Sequence, residues 1–354
     1  MGMISLPGLI DVHVHLREPG ATHKEDFDSG TRAALAGGFT TVLCMPNTTP
    51  PITDSTSLEV AKRAATEKAR CDYGIFAGAG PENPRSLPAL ARTVCGLKLY
   101  LDQTYGPLRL DSLELLQAHM QAWPKDKPIS AHAEGRSLAA VILLAAVLDR
   151  RVHICHVSRK EEILLIRAAK EKSIPVTCEV TPHHLFLDER DAAALGPGRS
   201  EVRPRLARPE DRQALWENME VIDCFATDHA PHTLQEKDGD NPPPGFPGLE
   251  TALGLWLEAV REGRLSLEQV ASKAHYRPRE IFGLPEQVET EVEIDPQASW
   301  EVKAASLQTR CGWTPFEGMR LHGRVRRVRL RGQIAYEEDE IRVPRGYGRD
   351  IYSS

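Results

Sequence analysis

Short apolar, β-branched runs alternate with longer stretches of helical periodicity along most of the chain. Eight runs stand out: LIDVHVHL around Ile10, FTTVLCM around Val42, YGIFAGA around Ile75, GLKLYL around Leu99, PISAHA around Ile129, RVHICHV around Ile154, IPVTCEV around Val176 and VIDCFAT around Phe225. Strands that alternate with helices pair in parallel through crossover connections, and eight of them fit a closed (β/α)8 barrel. Helices are predicted between them at 25–36, 54–69, 111–122, 136–148 and 160–172, with Asp54 and Asp111 as N-caps. The most apolar, LAAVILLAAVL from Leu138 to Leu148, spans about half the length a membrane helix needs. It reads as a buried barrel helix.

After the eighth run comes DGDNPPPGFPG. A loop so rich in proline holds no regular structure, and it lies where barrel enzymes place lids and substrate contacts. Two further helices are predicted, at 249–261 and 266–281. From about Val288 the pattern changes to short strands. In RVRRVRLRG, Val328 and Leu330 alternate with Arg327, Arg329 and Arg331, as expected of a half-buried strand with a basic, solvated outer face. The expected architecture is a barrel over residues 1–287 and a small accessory β domain with a tail over residues 288–354.

Composition narrows the function classes. In a chain of 354 residues, 41% apolar and 27% charged residues are ordinary for a globular protein with a large core. A net charge of -6 without any basic block gives no reason to expect nucleic acid as a partner, and no segment suits a membrane. A small molecule is the expected partner. The seven cysteines are odd in number and include no CxxC, which suits reduced, buried thiols. The N-terminus lacks the basic-then-apolar order of a signal peptide, so a cytoplasmic location is expected.

His13 and His15 stand two apart on the first strand, so both project to one face. His132, His156 and Asp228 fall late in the fifth, sixth and eighth runs, and barrel enzymes place catalytic groups at those strand ends. Imidazoles and a carboxylate converging on one mouth suit zinc, with an open position for a reactive water. Lys98, inside the apolar run GLKLYL, has two readings. It snorkels or pairs with a carboxylate, or burial keeps its amine neutral and carbon dioxide converts it to a carbamate able to bridge two metals.

Two segments, LIDVHVHLREPG and ATDHAPHTLQEK, resemble the characteristic motifs of dihydroorotases within the amidohydrolase superfamily. The likeness extends over nearly the whole chain. Through KEEILLI, HHLFL, GFPGLET, WTPFEG and VPRGYG it is greatest to the dihydroorotase domain of the animal multifunctional protein that also carries carbamoyl phosphate synthetase and aspartate transcarbamoylase. That resemblance implies a reversible cyclisation of N-carbamoyl-L-aspartate to dihydroorotate in pyrimidine biosynthesis, in a homodimer or a larger multifunctional chain. It implies one zinc on His13, His15, Lys98 and Asp228, and a second on His132, His156 and the shared Lys98 carbamate. Cys155 and Glu179 match positions that can hold an additional zinc beside His156, though a buried cysteine is also plain core. Asp228 would carry the proton in catalysis. Arg17, Asn47 and His232 would hold the substrate carboxylate, and Arg203 would line the pocket unless it is a surface cation. Thr104 and Tyr105 occupy the place of a flexible active-site loop. His183 and His184 have no assigned role. The rival readings are a hydantoinase or allantoinase, which Arg17 and Asn47 argue against, and a non-catalytic scaffold, which the intact ligand set argues against. The abrupt start is what a domain excised from a longer protein would show.

Overall fold

The computed structural model describes residues 2–352. Its first strand, β1 (Ile4–Pro7), lies outside the barrel, a strand the sequence pattern does not signal. The barrel strands follow as β2 (Leu9–Val14), β3 (Phe39–Cys44), β4 (Asp72–Ile75), β5 (Ala77–Gly78), β6 (Leu97–Tyr100), β7 (Ile129–His132), β8 (Val152–Ile154), β9 (Val176–Val180) and β10 (Cys224–Phe225). They are buried almost throughout, as parallel strands covered on both sides must be. β2, β3 and β4 pair in one parallel run, and β5 to β10 in another. The run YGIFAGA is therefore one barrel strand broken at Phe76, its first half pairing back to β3 and its second half forward to β6. Between β2 and β10 the barrel closes through the pairing of Val14 with His229.

Helices lie at Phe27–Ala36, Ser55–Lys68, Leu113–Ala122, Arg136–Val147 and Lys160–Glu171. Asp54 caps its helix by accepting from the amide of Ser57. Asp111 does not: Ser112 accepts from the amide of Leu115 and is the cap, while Asp111 pairs with Arg109 in solvent. The helix at 136–147 is buried on one face only. Leu143 and Val147 are 63% and 69% exposed, because a barrel helix covers its strands with one stripe and turns the other outward. The stretch expected as one helix over 266–281 divides into Leu267–Ala271, a π-helical turn at Ser272–Tyr276, and Arg277–Phe282. Lys273 and His275 of that turn are buried. Lys273 bonds the carbonyl of Ile222, and His275 Nδ1 donates to the carbonyl of Gly8 at 2.7 Å.

A second, antiparallel sheet orders β1, β11 (Glu291–Glu301), β12 (Arg320–Leu330), β13 (Gln333–Glu337) and β14 (Glu340–Ile341). It draws on both ends of the chain, since β1 pairs with β11 from Ile4↔Ile294 to Pro7↔Glu291. Val328 and Leu330 point into the core as alternation predicts. The arginines between them form no free basic stripe. Arg327 pairs with Glu293 and Glu337, Arg329 with Glu291, and Arg331 with Asp72. Gly323 on β12 has φ +84°, and a Cβ there would sit 2.5 Å from Leu257 Cδ1, so a side chain would separate the sheet from the helix at Leu249–Arg261. All seven cysteines are free and buried. Among the described residues no helix is long and apolar enough to cross a membrane.

Trp256, on the helix at Leu249–Arg261, is fully buried, stacked on Phe225 of β10 at 4.8 Å and edge-on to Phe39 of β3 at 6.2 Å. Replacing it by alanine empties a volume its neighbours cannot refill. The Trp256→Ala variant should lose about 3–5 kcal/mol of stability, read as a lower urea midpoint; an unchanged midpoint would show that the surroundings collapse.

Candidate active site

His13 belongs to β2, and His15 follows it past the strand end. His132 closes β7, His156 follows β8, and Asp228 follows β10. Arg17, His156 and Asp228 all adopt positive φ (62°, 33° and 47°), a backbone state costly for residues with side chains. Asp11 supports the group from beneath. Its buried carboxylate accepts from the amide of His13 at 3.0 Å and from both the amide and hydroxyl of Thr227, binding β2 to the segment that carries Asp228.

The structure brings the five predicted imidazole and carboxylate ligands together. His13 Nδ1 donates to Glu179 Oε1 at 2.5 Å, and His15 Nδ1 donates to Asn47 Oδ1 at 2.7 Å. These bonds turn both Nε2 atoms toward Asp228 Oδ1, at 3.3 and 3.0 Å. A ring nitrogen and a carboxylate oxygen this close share a cation between them, a proton or a metal ion. The pKa values agree. Burial and the Lys98 ammonium act to lower that of His13, yet Glu179 and Asp228 outweigh them and hold it at about 10, a measure of how strongly this spot attracts positive charge. Burial, opposed by the Asp228 carboxylate, leaves His15 near 4.

On the other side, His132 Nδ1 lies 2.8 Å from His156 Nε2, while His132 Nε2 and His156 Nδ1 are buried without a hydrogen-bond partner. Burial followed by the Lys98 charge lowers His132 to about 3, and burial holds His156 low as well. Neutral, buried imidazoles with free nitrogens are suited to a metal. Lys98 is 0% exposed between these groups, its ammonium donating to Cys155 Sγ at 2.8 Å. Cys155 and Glu179 gather with His13, whose ring nitrogen is the third donor within 4.8 Å, so the group forms across the barrel from β2 as well as beside His156.

Arg17, Asn47, His232 and Tyr105 come together at the rim. Arg17 is buried, with Nε donating to the carbonyl of Pro231 at 3.0 Å and a terminal nitrogen 2.9 Å from His232 Nε2. Asn47 holds the loop as well as His15, through Nδ2 to the carbonyl of Tyr105 at 2.9 Å. Tyr105 covers the Arg17 guanidinium at 5.0 Å and meets the His232 ring edge-on at 5.0 Å, with Thr104 half-buried beside it. Arg203 is half-buried and engaged with Glu201 at 2.7 Å. His183 packs on Phe246 with its Nε2 buried and without a hydrogen-bond partner, and His184 bonds Thr181 and the carbonyl of Pro204.

Sequence reasoning missed Asp11, Lys24 and Lys237. Asp11 carried a signal, an acid inside an apolar strand. Lys237 ends the motif ATDHAPHTLQEK, which was its only signal, and Lys24 carried none. Yet Lys237 is fully buried and donates to the carbonyls of Glu201, Pro243 and Gly245, which fixes the proline-rich loop over the site.

A family model described as dihydro-orotase-like matches residues 2–82. The dihydroorotase of Pyrococcus furiosus is 36% identical over 361 residues, covering 98% of this chain and 84% of that protein. The chain belongs to the dihydroorotase family. It is also 54% identical over 349 residues to the multifunctional protein CAD of Squalus acanthias, covering 99% of this chain and 16% of that protein. It thus spans about a sixth of the length of the multifunctional relatives it matches. Among solved structures, the inactive dihydroorotase-like domain of a Chaetomium thermophilum CAD-like protein superposes with TM-score 0.85 at 31% identity over 99% of this chain and all of that one. An L-hydantoinase from Arthrobacter aurescens gives TM-score 0.94 at 24% identity, over 99% of this chain and 89% of that one, a likeness of fold alone. These neighbours bear out the amidohydrolase barrel with its parallel strands.

Asp11→Ala removes the acceptor of three buried donors at the barrel seam. At roughly 1–3 kcal/mol for each group left unpaired, the variant should unfold at clearly lower urea and retain less metal. Native stability and metal content together would remove Asp11 from this supporting role.

Proposed function

We propose that this protein is a zinc-dependent dihydroorotase, interconverting dihydroorotate and N-carbamoyl-L-aspartate in pyrimidine biosynthesis. The observation that carries this reading is a buried cluster of metal-competent side chains, with two orphaned imidazole nitrogens, beside a pocket whose donors suit a carboxylate. The donor set fits zinc. His13, His15, Asp228 and Lys98 would hold one ion, and His132, His156 and Lys98 a second. Cys155 and Glu179, with His13, are suited to a third. Bound there, zinc supplies Lewis acidity, polarising the ring carbonyl and lowering the pKa of water.

The chain's own residues do the rest. The Lys98 ammonium gives up one proton, and the neutral amine then combines with carbon dioxide, releasing a second proton and forming a carbamate, so that one positive charge is replaced by one negative charge. Arg17, Asn47 and His232 hold the substrate carboxylate, which orients the ring so that one amide bond faces the cluster. Arg203 lines the same pocket. Tyr105 and Thr104 cover it and exclude water. Asp228 accepts a proton from the attacking water and delivers it to the leaving ring nitrogen. In the cyclising direction its protonated form returns that proton.

A hydantoinase would need no such cationic pocket, and a scaffold would need no buried ligand set. Likeness to CAD supports a further reading. Residues 1–287, apart from β1, are the catalytic barrel, and 288–354 with β1 its accessory unit, working as a homodimer within a longer cytoplasmic chain that also holds carbamoyl phosphate synthetase and aspartate transcarbamoylase. Turnover of dihydroorotate, with hydantoin and allantoin left untouched and at least two zinc ions per chain by elemental analysis, is the expected result. Turnover of hydantoin alone would end the reading.

Lys98→Arg should abolish turnover, because a guanidinium forms no carbamate. Short carboxylic acids should partly restore Lys98→Ala, and near-normal rates in Lys98→Arg would refute the carbamate.

Asp228→Asn keeps the size and one coordinating oxygen but accepts no proton. Its turnover should fall about 10²- to 10⁴-fold with zinc retained. Near-normal rates at full zinc content would take the proton transfer away from Asp228.

A further inference from the structure

We propose that Lys24 is a positioning residue of the carboxylate pocket: by donating to Nδ1 of His232 it keeps the ring proton on Nε2, the atom beside Arg17, and so presents His232 as a donor to the substrate's anionic group. The identity of that anion rests on the dihydroorotase reading. The role of Lys24 rests on geometry.

Lys24 lies in the loop before the helix at Phe27–Ala36 and is 4% exposed. Its Nζ is 3.0 Å from His232 Nδ1. An ammonium can only donate, so Nδ1 must accept, and the proton of a neutral ring then sits on Nε2. Nε2 also lies 3.0 Å from the carbonyl of Pro244, which can only accept, so the Nε2 proton is donated there until an anionic, stronger acceptor shares it. The ring stays neutral. Burial first, and then the charges of Arg17, Lys24 and Lys237, hold its pKa far below the ordinary histidine value.

With the proton on Nε2, the terminal nitrogen of Arg17 at 2.9 Å is a second donor aimed at the same place. Two donors at this separation repel unless an acceptor joins them. A carboxylate oxygen entering the pocket accepts from both, so the tautomer set by Lys24 makes the pocket selective for an anion. Lys24 is held in place by Glu236 Oε1 at 3.0 Å and lies 4.8 Å above the ring of Tyr105. The same lysine therefore joins His232 to the loop that covers the pocket.

The test uses the zinc-loaded protein labelled with ¹⁵N-histidine, the His232 signals being identified by their loss in His232→Gln. Long-range ¹H–¹⁵N spectra of the native protein should show His232 neutral with its proton on Nε2. Lys24→Met keeps the chain length and removes the donor. It should mix the tautomers, the Pro244 carbonyl alone then favouring the proton on Nε2, and raise KM for dihydroorotate roughly ten- to a hundredfold, the scale of a lost charged hydrogen bond, with little change in kcat or zinc content. Lys24→Arg, which keeps a donor, should restore the native spectrum. A native His232 protonated on Nδ1 overturns the proposal, as does a tautomer or a KM that Lys24→Met leaves unchanged. Should Lys24→Met not fold, the native and Lys24→Arg spectra still decide. A native protein inert toward dihydroorotate would end the dihydroorotase reading, whereas the spectra need no substrate and test Lys24 independently.

Discussion

Closure of the barrel between β2 and β10 depends on one buried carboxylate. Asp11 accepts from His13 on one strand and from Thr227 on the other, in a place where no water can substitute. Only with that seam closed do His13 and His15 stand opposite Asp228, more than two hundred residues away in the chain. Burial raises the pKa of Asp11 to about 7, with the hydrogen bonds to Thr227 and His13 opposing the shift, so the seam carries a real desolvation cost. The hydrogen bonds it makes are what offset that cost.

Above the seam, the site is organised by the sign of charge. The Asp228 and Glu179 carboxylates, deep in the barrel, attract a cation among facing imidazoles. Nearer the rim the sign reverses. Arg17, Lys24 and Lys237 surround His232, with Glu236 paired to Lys24 and the carbonyls of the proline-rich loop engaging Lys237. A substrate with an electrophilic carbonyl at one end and a carboxylate at the other matches this polarity, and its orientation is set before any bond changes. Buried charges of this kind are expensive unless fully paired, which explains why nearly every one has a named partner.

Outside the barrel, the accessory sheet ties the two ends of the described chain together. β1 pairs with β11, and near the C-terminus Arg349 and Ile351 form backbone bonds with Tyr73 on β4. The arginines of β12 pair across neighbouring strands, so a sequence dense in one charge makes a face with little net charge.

The chain by itself determined the barrel and the polar residues gathered at its mouth. Strand length, apolar content and helical periodicity are local properties, and a barrel strand delivers its last residues to the mouth whatever its neighbours are, so His13, His15, Lys98, His132, His156 and Asp228 were legible as a set. Motif likeness added Arg17, Asn47 and His232. Tertiary structure decided what depends on partners distant in sequence. Cys155 and Glu179 found His13 because the barrel is closed. Lys24 and Lys237, surface charges to any local reading, became buried donors because a proline-rich loop and a histidine more than two hundred residues downstream of Lys24 fold over them. A side chain's donor count is written in its sequence; which acceptor it meets is fixed only when the chain is folded.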